Sequence, residues 1–448
     1  AMSALTHAGF LAASVLVSDS SEVSQLEYRG QLIRSDRNGN RVPVKEFEVR
    51  CLVTNESGGP STAFFQVEER RGAAIPWPER FGQRMVSVEQ ADITGPEVRV
   101  LYIHEDRPAF LSVPVPLFPQ PSKLDDEAEW TQGEARFTVI RSREINGRAA
   151  WQVNVSPSGR SRSYTVDVDE STGVILSGFQ RLTLGQGDLF ELTWELQSEE
   201  SLEAEAATRA TRAAEEFLAL QASLMRDVDD RSGMLSPEQL DLAEAALDDL
   251  QALAGGTPLE RLATVIARDV LAQRQRAASV ADLAEQMVGN AAPDFTLTGL
   301  DGKPVDADLY DGKTLVLHFW DYRNAGLETP YGQVGYLDFL WSRHDDADVL
   351  VYGVSTDRRL RSKESAGAAR RSIRKLRNFM NLSYEIAGDV DGSVLKAFGD
   401  PTRFDAELPL WVVIGPDGDV LHYKTGFYEI DRDRGLLELD EVVTEAAR

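Results

Sequence analysis

Residues 315–330 read LVLHFWDYRNAGLETP. The first six, Leu315 to Trp320, form an apolar run that ends abruptly at Asp321. Tyr336, Leu337, Phe339 and Leu340 then recur at helical spacing. A short apolar run bounded by polar residues, followed by that periodicity, predicts a buried strand feeding a helix. Working outward, VGNAAPDFTL (288–297) and the turn Asp301-Gly302-Lys303 come before it, and VLVYGVSTD (349–357) and LPLWVVIGPDG (408–418) come after. The pattern predicts an opening hairpin over 294–305 and parallel central strands at 315–320 and 349–354. It also predicts an antiparallel hairpin, 410–414 with 420–423, turning at Gly415-Pro416-Asp417-Gly418, and a closing helix over 436–447. Strands alternating with helices in this way build an α/β sheet covered on both faces.

These motifs, in this order, resemble the thioredoxin-like superfamily, of the alkyl hydroperoxide reductase/thiol-specific antioxidant and extracytoplasmic thiol–disulfide oxidoreductase type. The resemblance implies a cysteine, often a C-x-x-C pair, just after the Phe-Trp of the strand. A thiolate at a helix N-terminus has a lowered pKa and is a good nucleophile. Here the corresponding residues run Asp321, Tyr322, Arg323, Asn324, Ala325, Gly326, Leu327, without cysteine, serine or threonine. The only cysteine is Cys51, so an intramolecular disulfide and a two-cysteine redox cycle are excluded by counting. The resemblance implies a thioredoxin-like domain whose former redox region (Asp321, Tyr322, Arg323, Asn324, Leu327) carries no catalytic residue. Pro409 takes the place of the family's cis-proline, which implies a cis peptide after Leu408. Two readings stand: Leu408 and Pro409 keep a peptide-binding groove, or the proline persists because the fold needs it. His318, His344 and His422 form no ligand motif, and a carboxylate–arginine pair at Asp321 and Arg323 is expected to be structural. Neither a metal nor a cofactor is expected.

The chain has 448 residues and a net charge of −26, with 42% hydrophobic residues. Such acidity argues against nucleic acid as a partner, because phosphates are repelled, and against general attraction to anionic membranes. No apolar run reaches the length of a membrane span. Residues 8–17 (AGFLAASVLV) read either as a signal core or as a first element, since no Lys or Arg precedes them. One segment runs against the overall charge: within 357–377, nine Lys and Arg residues stand against Asp357 and Glu364, a net +7. Arg370, Arg374 and Arg377 share a helical face with Arg371 beside them, while Ile373, Leu376 and Met380 share another. This basic face reads as a docking site for an acidic partner or as a solvated face.

Residues 1–198 alternate with period two. Phe47, Val49, Cys51 and Val53 share one face, as do Trp151, Val153 and Val155; Tyr164, Val166 and Val168; and Phe190, Leu192, Trp194 and Leu196. Turn residues such as Thr172-Gly173 separate the runs. This predicts an antiparallel, curved sheet of hairpins with one apolar face. The opening Tyr28-Arg29-Gly30 is similar, loosely, to lipoprotein carriers and envelope-stress sensors, which implies a lipid or other apolar ligand as one alternative to plain packing. Five prolines between Pro108 and Pro121 predict an extended crossing segment.

Residues 199–284 shift to Ala, Leu, Glu, Asp and Arg. They predict a helix over 199–226 and a second one opened by Ser236-Pro237-Glu238-Gln239, with a capping Ser and Pro at the first position. The stretch 227–239 resembles an EF-hand loop but loses either its end carboxylates or its glycine, depending on frame. The expected architecture is a multidomain α+β chain: an antiparallel β domain (1–198), a helical connector (199–284) and an α/β thioredoxin-like domain (285–448). The expected role is protein binding in the periplasm or cell envelope without redox chemistry. The alternatives are a divergent oxidoreductase or peroxidase, and an apolar-ligand carrier.

Overall fold

Along β2 (Arg41–Asn55) the side chains of Phe47, Val49, Cys51 and Val53 are buried, while Glu46, Glu48 and Arg50 are only half-buried. That alternation puts one face of a pleated strand into a core. In the computed structural model the described residues are 22–35, 40–55, 60–87, 92–105, 107–157, 163–226, 233–323, 331–344 and 348–447. The chain divides into two units, Ala1–Val270 and Leu271–Arg448.

The first unit contains β1 (Glu22–Ser35), β2, β3 (Ser61–Arg70), β4 (Phe81–Ser87), β5 (Asp92–Thr94), β6 (Arg99–His104), β7 (Arg107–Ser112), β8 (Glu129–Gln132), β9 (Ala135–Ile145), β10 (Arg148–Pro157), β11 (Tyr164–Asp169), β12 (Ile175–Leu184) and β13 (Asp188–Ser201). Eleven of them form one antiparallel sheet in the order β5-β4-β3-β2-β1-β13-β12-β11-β10-β9-β8, and β6 and β7 pair as a separate hairpin. Bulges at Glu27/Tyr28 and Gln152/Val153 bend the long strands. The proline-rich segment crosses the sheet's apolar face, where Val98, Val100, Leu111, Val113, Val115 and Phe118 join the core. The Tyr28 hydroxyl donates to Ile175 O at 2.9 Å, tying β1 to β12 through that core. Gly30 is glycine because the Phe47 ring lies on it: a Cβ there would stand 2.1 Å from the ring.

Two expectations need correction. The sheet is not apolar on one side only. Leu52, Phe64 and Phe81 point to the opposite face and pack with Phe217, Leu240 and Ile266 of the helices α1 (Ala204–Ser223), α2 (Pro237–Ala254) and α3 (Glu260–Met287). The helices therefore complete a second core on the sheet, and the compact unit extends to Val270. The helix expected from residue 199 starts later. Glu199, Glu200 and Ser201 still pair with Leu26, Gln25 and Ser24, because β1 offers them ladder partners. Ser236 caps α2 in a full capping box with Gln239. The remainder of the EF-hand-like stretch, residues 227–232, lies outside the described residues.

The second unit is built on β14 (Thr298–Gly299), β15 (Thr314–Trp320), β16 (Val349–Ser355), β17 (Glu385–Gly388), β18 (Leu410–Ile414) and β19 (Val420–Thr425), in the order β14-β17-β16-β15-β18-β19. β15, β16 and β17 are parallel, while β18 and β19 form an antiparallel hairpin on the other side of β15. Around the sheet lie α4 (Val334–Arg343), α5 (Ala366–Met380), α6 (Ser393–Ala397) and α7 (Leu437–Ala446). Leu315, Leu317 and Phe319 enter one core and Val316 the other, so the apolar run fills both faces of a central strand. Among the described residues no helix is long and apolar enough to cross a membrane.

Candidate functional site

In open α/β sheets, ligands meet the carboxyl ends of the parallel strands. At the end of β15 the backbone turns sharply: Tyr322 has φ 52°, a left-handed conformation uncommon for a bulky residue. The turn sends the Tyr322 side chain inward, where it is fully buried. Room for it exists only because residue 353 on β16 is glycine, since a Cβ there would stand 2.3 Å from the Tyr322 hydroxyl. The hydroxyl lies 2.6 Å from Nδ1 of His318 and 3.1 Å from the hydroxyl of Tyr384. His318 also packs on Trp411 with ring centroids 4.1 Å apart.

Burial sets the chemistry of this cluster. It pushes the His318 imidazole down to about 3, opposed by the backbone of Gly332, so the ring is neutral at physiological pH. Burial also raises the Tyr322 phenol well above its ordinary value, with Tyr384 adding to the rise. Neither group is placed to act as a nucleophile or general base for a solvent-borne substrate.

Charged groups lie outside this plug. Arg323 Nε donates to Asp321 at 2.7 Å. The Ser355 hydroxyl donates to Asp321 O at 2.9 Å. Asp357, nearly fully buried, takes Arg359 Nε and Nη2 at 2.9 and 2.6 Å, and its amide neighbour Arg359 N at 3.0 Å. Burial alone would raise the Asp357 carboxyl, but the Arg359 bonds and the charge of Arg323 outweigh it and hold it below the ordinary range. Four alternating charges thus neutralise one another at the strand ends. Of the sequence-derived candidates, Asp321, Tyr322 and Arg323 come together here; Asn324 and Leu327, with Glu328, lie outside the described residues. Ser355, Asp357 and Arg359 were not singled out, although the STD that closes 349–357 marks a strand end beside the site.

The Leu408–Pro409 peptide is cis. Pro409 is buried and Leu408 half-buried, and Gly426 N donates to Pro409 O at 2.8 Å. Beside them Phe427 is exposed and packs edge-on against Trp320, with centroids 6.1 Å apart. Gln333 clamps the next residue through its side-chain amide, with Nε2 donating to Tyr428 O at 2.7 Å and Oε1 accepting from Tyr428 N at 3.0 Å. The other histidines of this unit are engaged singly: Nε2 of His344 with Asp440 at 2.9 Å and Nε2 of His422 with the Tyr428 hydroxyl at 2.8 Å.

The basic face on α5 is partly used within its own unit. Arg374 Nη2 donates to Leu300 O at 2.6 Å and Arg377 pairs with Glu385 at 2.9 Å. Arg371 and Lys375 are exposed, with Phe379 64% exposed one turn on, and Arg370 is half-buried near Gly302.

In the first unit a cavity of about 560 Å³ opens between the crossing segment and the sheet. Leu111, Val115, Phe118, Phe137, Val166 and Leu182 line it, together with Arg84 and Tyr164. Arg84 Nη1 donates to Val115 O at 3.2 Å, and its buried Nε has no hydrogen-bond partner among the described residues.

The AhpC/TSA family model matches residues 288–423. Thiol-disulfide oxidoreductase ResA of Bacillus thuringiensis subsp. konkukian (strain 97-27) is 24% identical over 139 residues, which is 31% of this chain and 70% of the relative. Among solved structures, a putative protein disulfide isomerase from Bacteroides thetaiotaomicron is 20% identical, covering 36% of this chain and 89% of its own, with a TM-score of 0.28. A secreted Mycobacterium tuberculosis disulfide oxidoreductase homologous to E. coli DsbE is 20% identical, covering 34% and 95%, with a TM-score of 0.26. The match to the AhpC/TSA family model thus falls in the C-terminal region, in a chain whose single cysteine lies in the other unit.

Proposed function

We propose that the C-terminal unit is a redox-inactive, thioredoxin-like binding module of the cell envelope, and that it engages a protein partner through the groove at Leu408 and Pro409 and the exposed part of the α5 basic face. One observation carries this reading. Where the resemblance calls for an exposed thiolate after the strand, the described turn instead buries Tyr322 against Gly353 and His318. Redox chemistry needs a thiol that can ionise and reach its substrate. Cys51 does neither: its side chain is fully buried in the first unit, and burial pushes its thiol up to about 12. The envelope placement rests on the resemblance to extracytoplasmic oxidoreductases. The test is disulfide reduction and hydroperoxide consumption by the full chain, with and without Cys51→Ser. Turnover that survives the substitution would overturn the reading, while absence of turnover in both supports it. Partner capture is then compared between the wild type and Arg371→Glu/Lys375→Glu, which changes only exposed positions.

The cavity favours a second role for the same chain: carriage of an apolar ligand by the β unit. Its apolar lining and the unpartnered Arg84 Nε suit an acyl chain ending in an anion. Solvent extraction of purified protein and mass spectrometry of the extract test it. An empty protein that also fails to take up a fluorescent fatty acid would remove this role.

A further inference from the structure

We infer that His104, Glu105 and Asp188 form a binding site for one divalent transition-metal cation of the zinc class. The three residues come from two turns far apart in sequence. His104 ends β6 and Glu105 begins the turn to β7, while Asp188 begins β13 directly after the turn from β12. One ligand atom from each lies within 4.8 Å of the other two.

The imidazole is held in place before any ligand arrives. His104 is 6% exposed, packs edge-on against Phe190 with centroids 5.2 Å apart, and stacks on Tyr102 at 6.0 Å. Its Nε2 points at the two carboxylates. It stands 3.0 Å from Asp188 Oδ2, yet at an angle that makes no hydrogen bond, and no other described group supplies one. A buried ring nitrogen without a hydrogen bond costs about 1–3 kcal/mol, and such groups in native structures call for an explanation, an ion among them. A metal ion bound at the lone pair would satisfy the nitrogen and bring the carboxylates together without repulsion.

The space for the ion is built in. Gly185 sits in the β12–β13 turn with φ +56°, and a Cβ on it would stand 2.9 Å from His104 Nε2 and 3.0 Å from Glu105 Oε2. Any side chain there would fill the gap between the donors. Glu105 itself adopts φ 50°, a left-handed conformation at the end of β6. Bonds of roughly 2.0–2.2 Å to nitrogen and oxygen place the donors of a tetrahedral site a little over 3 Å apart. Glu105 and Asp188 are exposed, so small rotations of their side chains close the remaining distance.

The donor set selects the cation. One imidazole and two carboxylates suit zinc and its borderline neighbours; copper(I) prefers sulfur, and calcium requires six to eight oxygens. Three protein donors leave a position for water. The ion would fasten the tip of the β6–β7 hairpin to the β12–β13 turn. That hairpin contributes Phe110, Leu111 and Ser112 to the cavity wall, so the metal would also hold that wall in place.

The test uses the full chain after chelator treatment, titrated with zinc chloride by calorimetry and with cobalt(II) by absorption. A single equivalent is expected to bind. Removal of outer-shell partners alone costs about 10–100-fold in metal affinity, so His104→Ala should lose at least ~100-fold and Glu105→Gln and Asp188→Asn at least ~10-fold each. Gly185→Ala should weaken uptake as well. Zinc should slow amide exchange in β6 and β7 of the wild type and not of Glu105→Gln. Since Glu105 and Asp188 are exposed, their variants remain informative if His104→Ala misfolds. No uptake by the wild type, or uptake unchanged in Glu105→Gln and Asp188→Asn, would overturn the site; the second result would assign binding to the general acidity of the chain.

Discussion

The Tyr322 hydroxyl lies 2.6 Å from Nδ1 of His318, and both side chains are fully buried. This contact makes the turn after β15 part of the core. Tyr384, the residue just before β17, extends the chain of hydrogen bonds at 3.1 Å from Tyr322. His318 engages this network through Nδ1, while its Nε2 is buried without a hydrogen-bond partner among the described residues, which makes the Tyr322 contact the one that holds the ring's polar edge.

The network depends on a neutral His318. Its imidazole falls from 6.5 to about 3 on folding. Below pH 6.5 the unfolded chain binds a proton at residue 318 that the native chain refuses. The contribution of His318 is therefore complete above pH 6.5 and is lost as pH falls toward 3, at up to about 1.4 kcal/mol per pH unit. The denaturant midpoint of the C-terminal unit, followed by hydrogen exchange across β15 and β18, should drop on acidification more steeply in the wild type than in His318→Gln. Equal slopes would mean that His318 is not buried in neutral form.

Gly353 and Tyr322 should be energetically coupled. In Gly353→Ala the new Cβ would overlap the Tyr322 hydroxyl at 2.3 Å, an overpacking that costs about 1–3 kcal/mol. Tyr322→Ala leaves a cavity and strands Nδ1 of His318, at roughly 3–5 kcal/mol. The double variant should lose less than the sum, by about 0.5–3 kcal/mol. Strict additivity in unfolding free energies would place Tyr322 away from Gly353.

The strand at 315–320 and the hairpin at 410–423 were legible because each is a local pattern, an apolar run and a Gly-Pro-Asp-Gly turn; the cis peptide at Pro409 was implied by the resemblance alone. The inward turn of Tyr322 was not legible, because its backbone angle is allowed by a glycine on another strand. The packing of helices on the back of the β sheet has a signal in the sequence. Cys51-Leu52-Val53 and Phe64-Phe65 break the period-two alternation, as strands buried on both faces do. The His104, Glu105 and Asp188 cluster left none, since only the fold joins its two turns.

Cys51 should be chemically silent in the native protein. Burial pushes its thiol up to about 12, so it stays protonated throughout the physiological range. An aromatic disulfide reagent at mildly alkaline pH should label no thiol until denaturant is added, and then one per chain. Rapid labelling of the folded protein would reopen a reactive role for Cys51.

Lys45 and Glu69 form an ion pair at 2.9 Å with side chains no more than 1% exposed. Glu69 also accepts from the amides of Ile75 at 3.2 Å and Leu101 at 2.9 Å, which ties β3 to the β6–β7 hairpin. Lys45→Met would leave a buried carboxylate without its partner, at a cost of about 3–5 kcal/mol. Adding Glu69→Gln removes that stranded charge and keeps an acceptor for the Leu101 amide, while the Ile75 amide, which bonds the other carboxylate oxygen, loses its partner; a stranded charge costs more than one lost amide bond, so the double variant should be more stable than Lys45→Met alone. Unfolding midpoints give the ordering, and exchange of the Leu101 amide reports on the hairpin. A double variant less stable than Lys45→Met would mean that the Glu69 carboxylate is stabilised by its two amides and has little need of the lysine.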